Sequence, residues 1–328
     1  EPAPAAPAPS PAPAPAAPAP APRAAGASAA VLAKPPVRKL AKDLGVDLAA
    51  VTASGPGGVI TREDVLAHSA SAQAPELAAY PGDEPWLAEG RVSADGRQTR
   101  VPVKSVRRRT AEAMVASAFT APHVTVFHTV DVTKSMELLR RLKEDREFSD
   151  VRVTPLLLVA KAFLIAVHRH PQISAAWDDE TQELVYKHYV NLGIAASTPR
   201  GLIVPNIKDA HRMTLHELAV AIGELTQTAR AGKATPRDMA DGTVTITNVG
   251  VFGIDTGTPI LVPGESAILA FGSITERPWV HRGEIEKRWV TQLGLSFDHR
   301  FVDGELGSRV LADVAKVLEE PGQALVWS

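Results

Sequence analysis

Residues 295–304 read Leu295-Ser296-Phe297-Asp298-His299-Arg300-Phe301-Val302-Asp303-Gly304. The residues before this run, from about Glu286 to Phe297, have the apolar and β-branched composition of a buried strand. The residues after it place apolar side chains at helical spacing from about Gly304 to Glu320, and Pro321 stops them. A dense polar cluster, Asp-His-Arg-x-x-Asp, therefore sits where a strand gives way to the last helix, a place where catalytic groups are often presented. A histidine there can act as a general base near neutral pH. Asp303 can orient that histidine, a neighbouring group or the incoming helix. Read from the residues alone, the same cluster is equally well a structural salt-bridge network.

Working outward, residues 100–328 alternate strand and helix signals, which predicts one large α/β domain with a mixed sheet and helices. Residues 123–133 alternate as a strand, with Val124, Val126, His128 and Val130 on one face. Thr154-Pro155 caps and opens an apolar helix running to Val167. Residues 190–196 and 202–207 are strand-like around a turn containing Pro199, Arg200 and Gly201. Thr214 and Glu217 have capping-box spacing, with Gly232 at the far end of that helix. Thr243 to Thr247 is a β-branched strand leading into Asn248 and Gly250. Residues 266–274 and 286–297 read as paired central strands.

Toward the N-terminus the composition changes. Residues 1–30 are almost wholly alanine and proline, an extended linker that can form no core. The chain begins inside this tether, so a further domain upstream is expected. Residues 31–69 form an island: Val37, Leu40, Ala41 and Leu44 recur at helical spacing, Gly45 stops the helix, and residues 54–58 make a tight loop. Thr61-Arg62-Glu63-Asp64 then has the capping-box spacing before a second helix. A domain of this size suits docking better than catalysis. Residues 70–99 read as a second linker.

Bulk properties narrow the function. The 328 residues carry a net charge of −2, so there is no basic field for nucleic acid. There is no cysteine, which excludes disulfides, thiolate metal sites and a cysteine nucleophile, and favours a reducing, cytoplasmic setting. The most apolar stretch, residues 155–167, is too short to span a bilayer and contains Lys161, so no membrane span is expected. His168 and His170 make a poor metal pair, having no third ligand within a helical turn, and suit the negative end of a helix better. No metal site is expected.

The run 295–304 resembles the active-site signature of the lipoyl-dependent acyltransferases of 2-oxo acid dehydrogenase complexes, a family that shares its fold with chloramphenicol acetyltransferase. Further segments resemble the family in its own order. Asn191-Leu192-Gly193-Ile194-Ala195 with Thr198-Pro199-Arg200-Gly201-Leu202-Ile203-Val204-Pro205 is similar to its central segment, and Gly242-Thr243-Val244-Thr245-Ile246-Thr247-Asn248-Val249-Gly250 to its other catalytic strand. Val37-Arg38-Lys39-Leu40-Ala41 and Gly55-Pro56-Gly57-Gly58-Val59-Ile60-Thr61-Arg62-Glu63-Asp64 resemble its peripheral subunit-binding domain.

The resemblance implies a chloramphenicol acetyltransferase-like catalytic domain that exchanges an acyl group between dihydrolipoamide and coenzyme A. The lipoyl group would be carried on a domain outside this chain. His299 would take the thiol proton, Thr247 would donate to the oxyanion where many relatives have serine, and Asp303 would organise the site. It implies a homotrimer, with His299 from one subunit and Thr247 from its neighbour, and assembly into a cubic or icosahedral core. Arg107 and Arg108 are candidates for the coenzyme A phosphates. Arg38 and Lys42 are candidates for docking a 2-oxo acid decarboxylase or dihydrolipoamide dehydrogenase. Pro56 and Val59 depart from relatives that are basic there. Val204-Pro205-Asn206 and residues 247–253 look most like branched-chain members, so a branched acyl group is expected, with acetyl transfer or a non-catalytic scaffold as alternatives.

Overall fold

The computed structural model describes residues 32–73, 90–93, 97–198 and 201–327. The expected linker 1–30 and most of 70–99 lie outside the described residues. The chain divides into two compact units, Glu1–Thr99 and Arg100–Ser328.

In the first unit, helix α1 (Pro35–Asp43) ends where Gly45 takes a left-handed conformation (φ 67°). A short 3-10 turn, Leu48–Ala50, and helix α2 (Arg62–Gln73) complete it. Val37, Ala41, Val51, Ile60 and Val65 form its small core. The capping box is present: Thr61 N donates to Asp64 Oδ2 (2.8 Å), and Asp64 N donates to Thr61 Oγ1 (3.2 Å). Ser54 also donates to Asp64, through Oγ (2.6 Å) and N (3.0 Å). These hydrogen bonds, led by that of the Ser54 hydroxyl, hold the Asp64 carboxyl far below the usual carboxylate range.

The second unit opens with helix α3 (Ser105–Thr120) and is built on a seven-stranded mixed sheet. Its strands are β1 (His123–Asp131), β2 (Leu192–Ile194), β3 (Asn206–Ile207), β4 (Val244–Asn248), β5 (Ala267–Phe271), β6 (Thr275–His281) and β7 (Glu284–Asp298). The order is β6-β7-β5-β4-β2-β3, and β1 also pairs with β7, along Val290–Asp298. β4 runs parallel to β2 and β5, and β7 runs antiparallel to β5 and β1. Helices α4 (Thr133–Glu144), α5 (Pro155–Arg169), α6 (Leu215–Arg230) and α7 (Gly304–Glu319) contribute to one continuous core, together with inward residues such as Val244, Ile246, Leu269, Leu293, Leu295 and Phe297.

Helix α5 is buried nearly all round, as its unbroken apolar run requires; Lys161 stays half-buried by donating to Met213 O (3.0 Å). Helix α6 has the Thr214–Glu217 capping box and ends before Gly232 (φ 68°). The single strands expected at 190–196 and 202–207 are instead short pieces. Residues 196–198 and 201–203 leave the main sheet as a small hairpin of their own. On β1 the expected apolar face is only partly realised, since Val130 is buried but Val124 and His128 are exposed.

Candidate active site

The charged residues of the 298–303 cluster serve the turn itself. Asp298, only 3% exposed, accepts from Arg300 Nε (3.1 Å) and Nη2 (2.7 Å) and from Arg300 N (3.0 Å). This forked, charge-assisted pairing closes the turn. Arg300 also lies over the Trp177 ring (5.1 Å) and near Asp179 (3.7 Å). Asp303 is the N-cap of α7, its Oδ1 accepting from Leu306 N (2.8 Å), and it makes no hydrogen bond to His299. Of its three sequence-level roles, the structure shows the one toward the incoming helix.

His299 is what remains. Its backbone N donates to Pro122 O (2.9 Å), which fixes the main chain as β7 ends. Its ring is exposed, stands 6.1 Å from that of Phe297, and has no hydrogen-bonding partner among the described residues.

Strand β4 shows a similar remainder. Val244 and Ile246 point into the helix-side core, so Thr243, Thr245 and Thr247 share the opposite face. Thr243 Oγ1 donates to Asn191 O and accepts from Asn191 N (both 3.1 Å). Thr245 Oγ1 donates to Glu265 Oε2 (2.6 Å). The half-buried Thr247 has no side-chain partner among the described residues. A hydroxyl held on a strand yet unspent can donate to an incoming oxygen.

The register fixes how far apart these two groups are. Thr247 pairs with Ala270, which pairs with Gly294, five residues before His299. At strand spacings, His299 and Thr247 of one chain lie roughly 16 Å apart along the strands and about 10 Å across them. One chain does not bring them together.

The other candidates are more scattered. Arg107 and Arg108 are exposed in the first turn of α3, and Arg108 Nε pairs with Glu112 (2.8 Å). No hydrogen bond or ion pair joins them to His299, Asp303 or Thr247 among the described residues. In the first unit, Arg38 Nε donates to Ala33 O (3.0 Å), and Lys42 is exposed on the last turn of α1. His170 Nε2 and Arg169 Nε both meet Asp313 Oδ2 (2.9 and 2.8 Å) at the end of α5. Among the described residues no group of three or more His, Cys, Asp or Glu could hold a metal, and no helix is long and apolar enough to cross a membrane.

The structure also shows features that sequence reasoning passed over. Glu265 is buried beside Thr245, and burial pushes its carboxyl up to about 7. A cavity of about 650 Å³ lies at the carboxyl ends of β4 and β5, with Arg152, Arg230, Leu156, Ile222, Asn248 and Phe271 in its wall. Neither Thr247 nor His299 lines it, because Asn248 turns to the opposite face of β4.

The mixed sheet thus ends in an Asp-His-Arg turn with a free imidazole and carries a free hydroxyl on a separate strand. Residues 95–326 match the family of 2-oxoacid dehydrogenases acyltransferase (catalytic domain), and residues 31–66 match the e3 binding domain. The chain belongs to the 2-oxoacid dehydrogenase acyltransferase family.

The dihydrolipoyllysine-residue acetyltransferase component of the pyruvate dehydrogenase complex from Staphylococcus aureus (strain Mu50 / ATCC 700699) is 38% identical over 305 residues, covering 89% of this chain and 70% of the relative. The Bacillus subtilis (strain 168) component is 36% identical, covering 89% and 67%. Among solved structures, the Azotobacter vinelandii dihydrolipoamide acetyltransferase, investigated for the catalytic roles of a serine, a histidine and an asparagine, superposes with a TM-score of 0.67. It is 29% identical, with 70% of this chain and 95% of that chain covered. A truncated catalytic core of the Thermoplasma acidophilum 2-oxoacid dehydrogenase multienzyme complex gives 0.62, at 33% identity with 68% and 99% covered.

Proposed function

We propose that the protein exchanges an acetyl group between dihydrolipoamide and coenzyme A. The observation that carries this reading is the pair of unspent groups, the His299 imidazole in a turn whose charged side chains have fixed partners and the Thr247 hydroxyl beside two threonines that are tied.

The reaction is a thioester exchange. A free thiol, with a pKa of about 8.5, needs a base to become the better nucleophile at neutral pH. His299 takes the proton from the attacking thiol as sulfur adds to the thioester carbonyl. The Thr247 hydroxyl donates to the resulting oxyanion. Collapse breaks the other carbon–sulfur bond, and His299 returns its proton to the departing thiolate. Asp303 contributes by fixing the start of α7, and so the turn that presents His299.

Since one chain holds the two groups at opposite ends of its sheet, the working site takes His299 from one subunit and Thr247 from another. A homotrimer in which each subunit lends to the next supplies every site in this way, and a similar chain forms the cubic core of a pyruvate dehydrogenase multienzyme complex. Coenzyme A and a lipoyl group on its carrier domain are the substrates, with Arg107 and Arg108 retained as phosphate contacts.

Acetyl replaces the branched-chain group expected from the sequence. The named relatives are acetyltransferases, and one of the two stretches behind that expectation, residues 204–206, has structural contacts. Asn206 Nδ2 donates to Ala240 O (2.8 Å), and Val204 fills the space beside Gly193. The first unit docks dihydrolipoamide dehydrogenase through the α1 face that bears Arg38 and Lys42. The bacterial relatives and the absence of cysteine in the chain support a cytoplasmic setting.

The test is acyl transfer from acetyl-, isobutyryl- and succinyl-coenzyme A to dihydrolipoamide by the assembled protein. Acetyl transfer that exceeds the other two and is lost in His299→Ala supports the proposal. Preference for isobutyryl would restore the branched-chain reading. No turnover with any donor would leave a scaffold.

A further inference from the structure

Glu265 belongs to no step of this reaction, yet the fold is built around it. It lies two residues before β5, is 7% exposed, and accepts the Thr245 hydroxyl at 2.6 Å. Two glycines make room for the pair. A Cβ at Gly242 would stand 2.1 Å from Glu265 Oε1, and a Cβ at Gly193 would stand 2.1 Å from Thr245 Oγ1. Gly242 thus leaves room for the carboxyl, and Gly193 leaves room for the hydroxyl that it accepts.

The carboxyl also has no hydrogen-bonded countercharge among the described residues. Lys187 Nζ donates instead to Gly242 O (3.1 Å) and Gly264 O (3.3 Å), the two loops flanking the carboxyl. Lys187 feels Glu265 and Asp241 only through space, and Glu265 feels Lys187 likewise.

What the pair holds in place is the β4–β5 register. These strands are parallel and joined by a long connection, so no tight turn sets their alignment. Thr245 is two residues from Thr247 on the same strand face. A slip of one residue would carry the Thr247 hydroxyl to the opposite face, and a smaller shift would mis-aim it.

We propose that Glu265 is a positioning residue for acyl transfer, pinning β4 through Thr245 so that the Thr247 hydroxyl meets the oxyanion. This rests on the reading of Thr247 as the oxyanion donor. The neutral carboxyl fits the cradle, whereas ionisation above about 7 places a negative charge there that Lys187, held by two carbonyls, does not contact directly.

The experiment measures kcat and KM for acetyl transfer between about pH 6 and pH 9 in the assembled protein. The variants are Thr247→Val, Thr245→Val, Glu265→Leu and Glu265→Gln, with Thr245→Val and Glu265→Leu each also made in the Thr247→Val background. The expected result is a loss of about tenfold or more in kcat, with little change in KM, for Thr245→Val and Glu265→Leu. That loss should vanish when Thr247 is already valine. Glu265→Gln, which keeps the acceptor, should recover most of the loss and flatten the alkaline limb expected of the native protein.

If Thr247→Val itself leaves kcat unchanged, the oxyanion reading fails and the proposal falls with it. If Thr247→Val is crippled while Thr245→Val stays within about twofold of the native protein, only the positioning role of Glu265 is overturned. Should Glu265→Leu fail to assemble, the Thr245→Val pair decides alone.

Discussion

The turn after β7 and the strand β4 each carry one of the two groups proposed to react, but they isolate it differently. In the turn, strong charges surround His299 and are neutralised by one another or by backbone: Asp298 by Arg300, Asp303 by the first turn of α7. In the strand, three like hydroxyls stand in a row and the first two are tied to Asn191 and Glu265. The turn attracts notice by charge density, yet most of that charge is structural. The strand looks like ordinary β-branched sequence, yet one of its threonines is free. Among the charged side chains of the turn and the threonines of the strand, lack of a partner, rather than polarity, singles out His299 and Thr247.

Substitutions can break this parallel. The largest effect is expected for His299→Ala, a fall of about 100- to 10,000-fold in kcat with folding and assembly intact, read by steady-state acetyl transfer. Thr247→Val should cost about 100- to 1000-fold, and Thr247→Ser should keep activity within a few-fold. Equal losses for Ser and Val would mean that the strand supplies shape and not a hydrogen bond.

The next prediction concerns stability. Glu265 moves from an ordinary 4.5 to about 7 on folding. The folded state therefore holds that proton more tightly, so the contribution is full below about pH 4.5, declines as pH rises, and is gone above about 7. The gap corresponds to about 3 kcal/mol. Denaturant unfolding at several pH values should show Glu265→Gln more stable than the native protein above neutrality, with a flatter profile. Smallest is Asp303→Ala, which removes a helix cap and should cost about 1 kcal/mol. A loss in kcat much beyond its loss in stability would return Asp303 to a direct role beside His299.

Much of this fold was legible where local chemistry decides it. The Thr214–Glu217 box, the glycine stops at 45 and 232, the final helix before Pro321 and the pairing of the strands around 267–271 and 286–297 all follow from short-range rules. Strand β6 was missed because Thr275–His281 is charged, holds Pro278 and is paired on one side only, leaving no buried alternation to read. The site was legible as a set of residue types but not as a distance. That His299 and Thr247 stand at opposite ends of one sheet depends on register, which no single segment encodes. Glu265 was invisible for a related reason: an acid after Gly264 reads as surface loop until Gly242 and the Thr245 hydroxyl are brought alongside.

The distance between His299 and Thr247 has a genetic consequence. If every site borrows from two subunits, a lesion in the histidine and a lesion in the threonine strike different halves of it. Cells carrying either allele alone would lose the activity, while cells carrying both would build mixed rings in which some sites receive one sound half from each parent. The two alleles would complement one another, and a single copy with one lesion would silence one shared site while its sound half still served another.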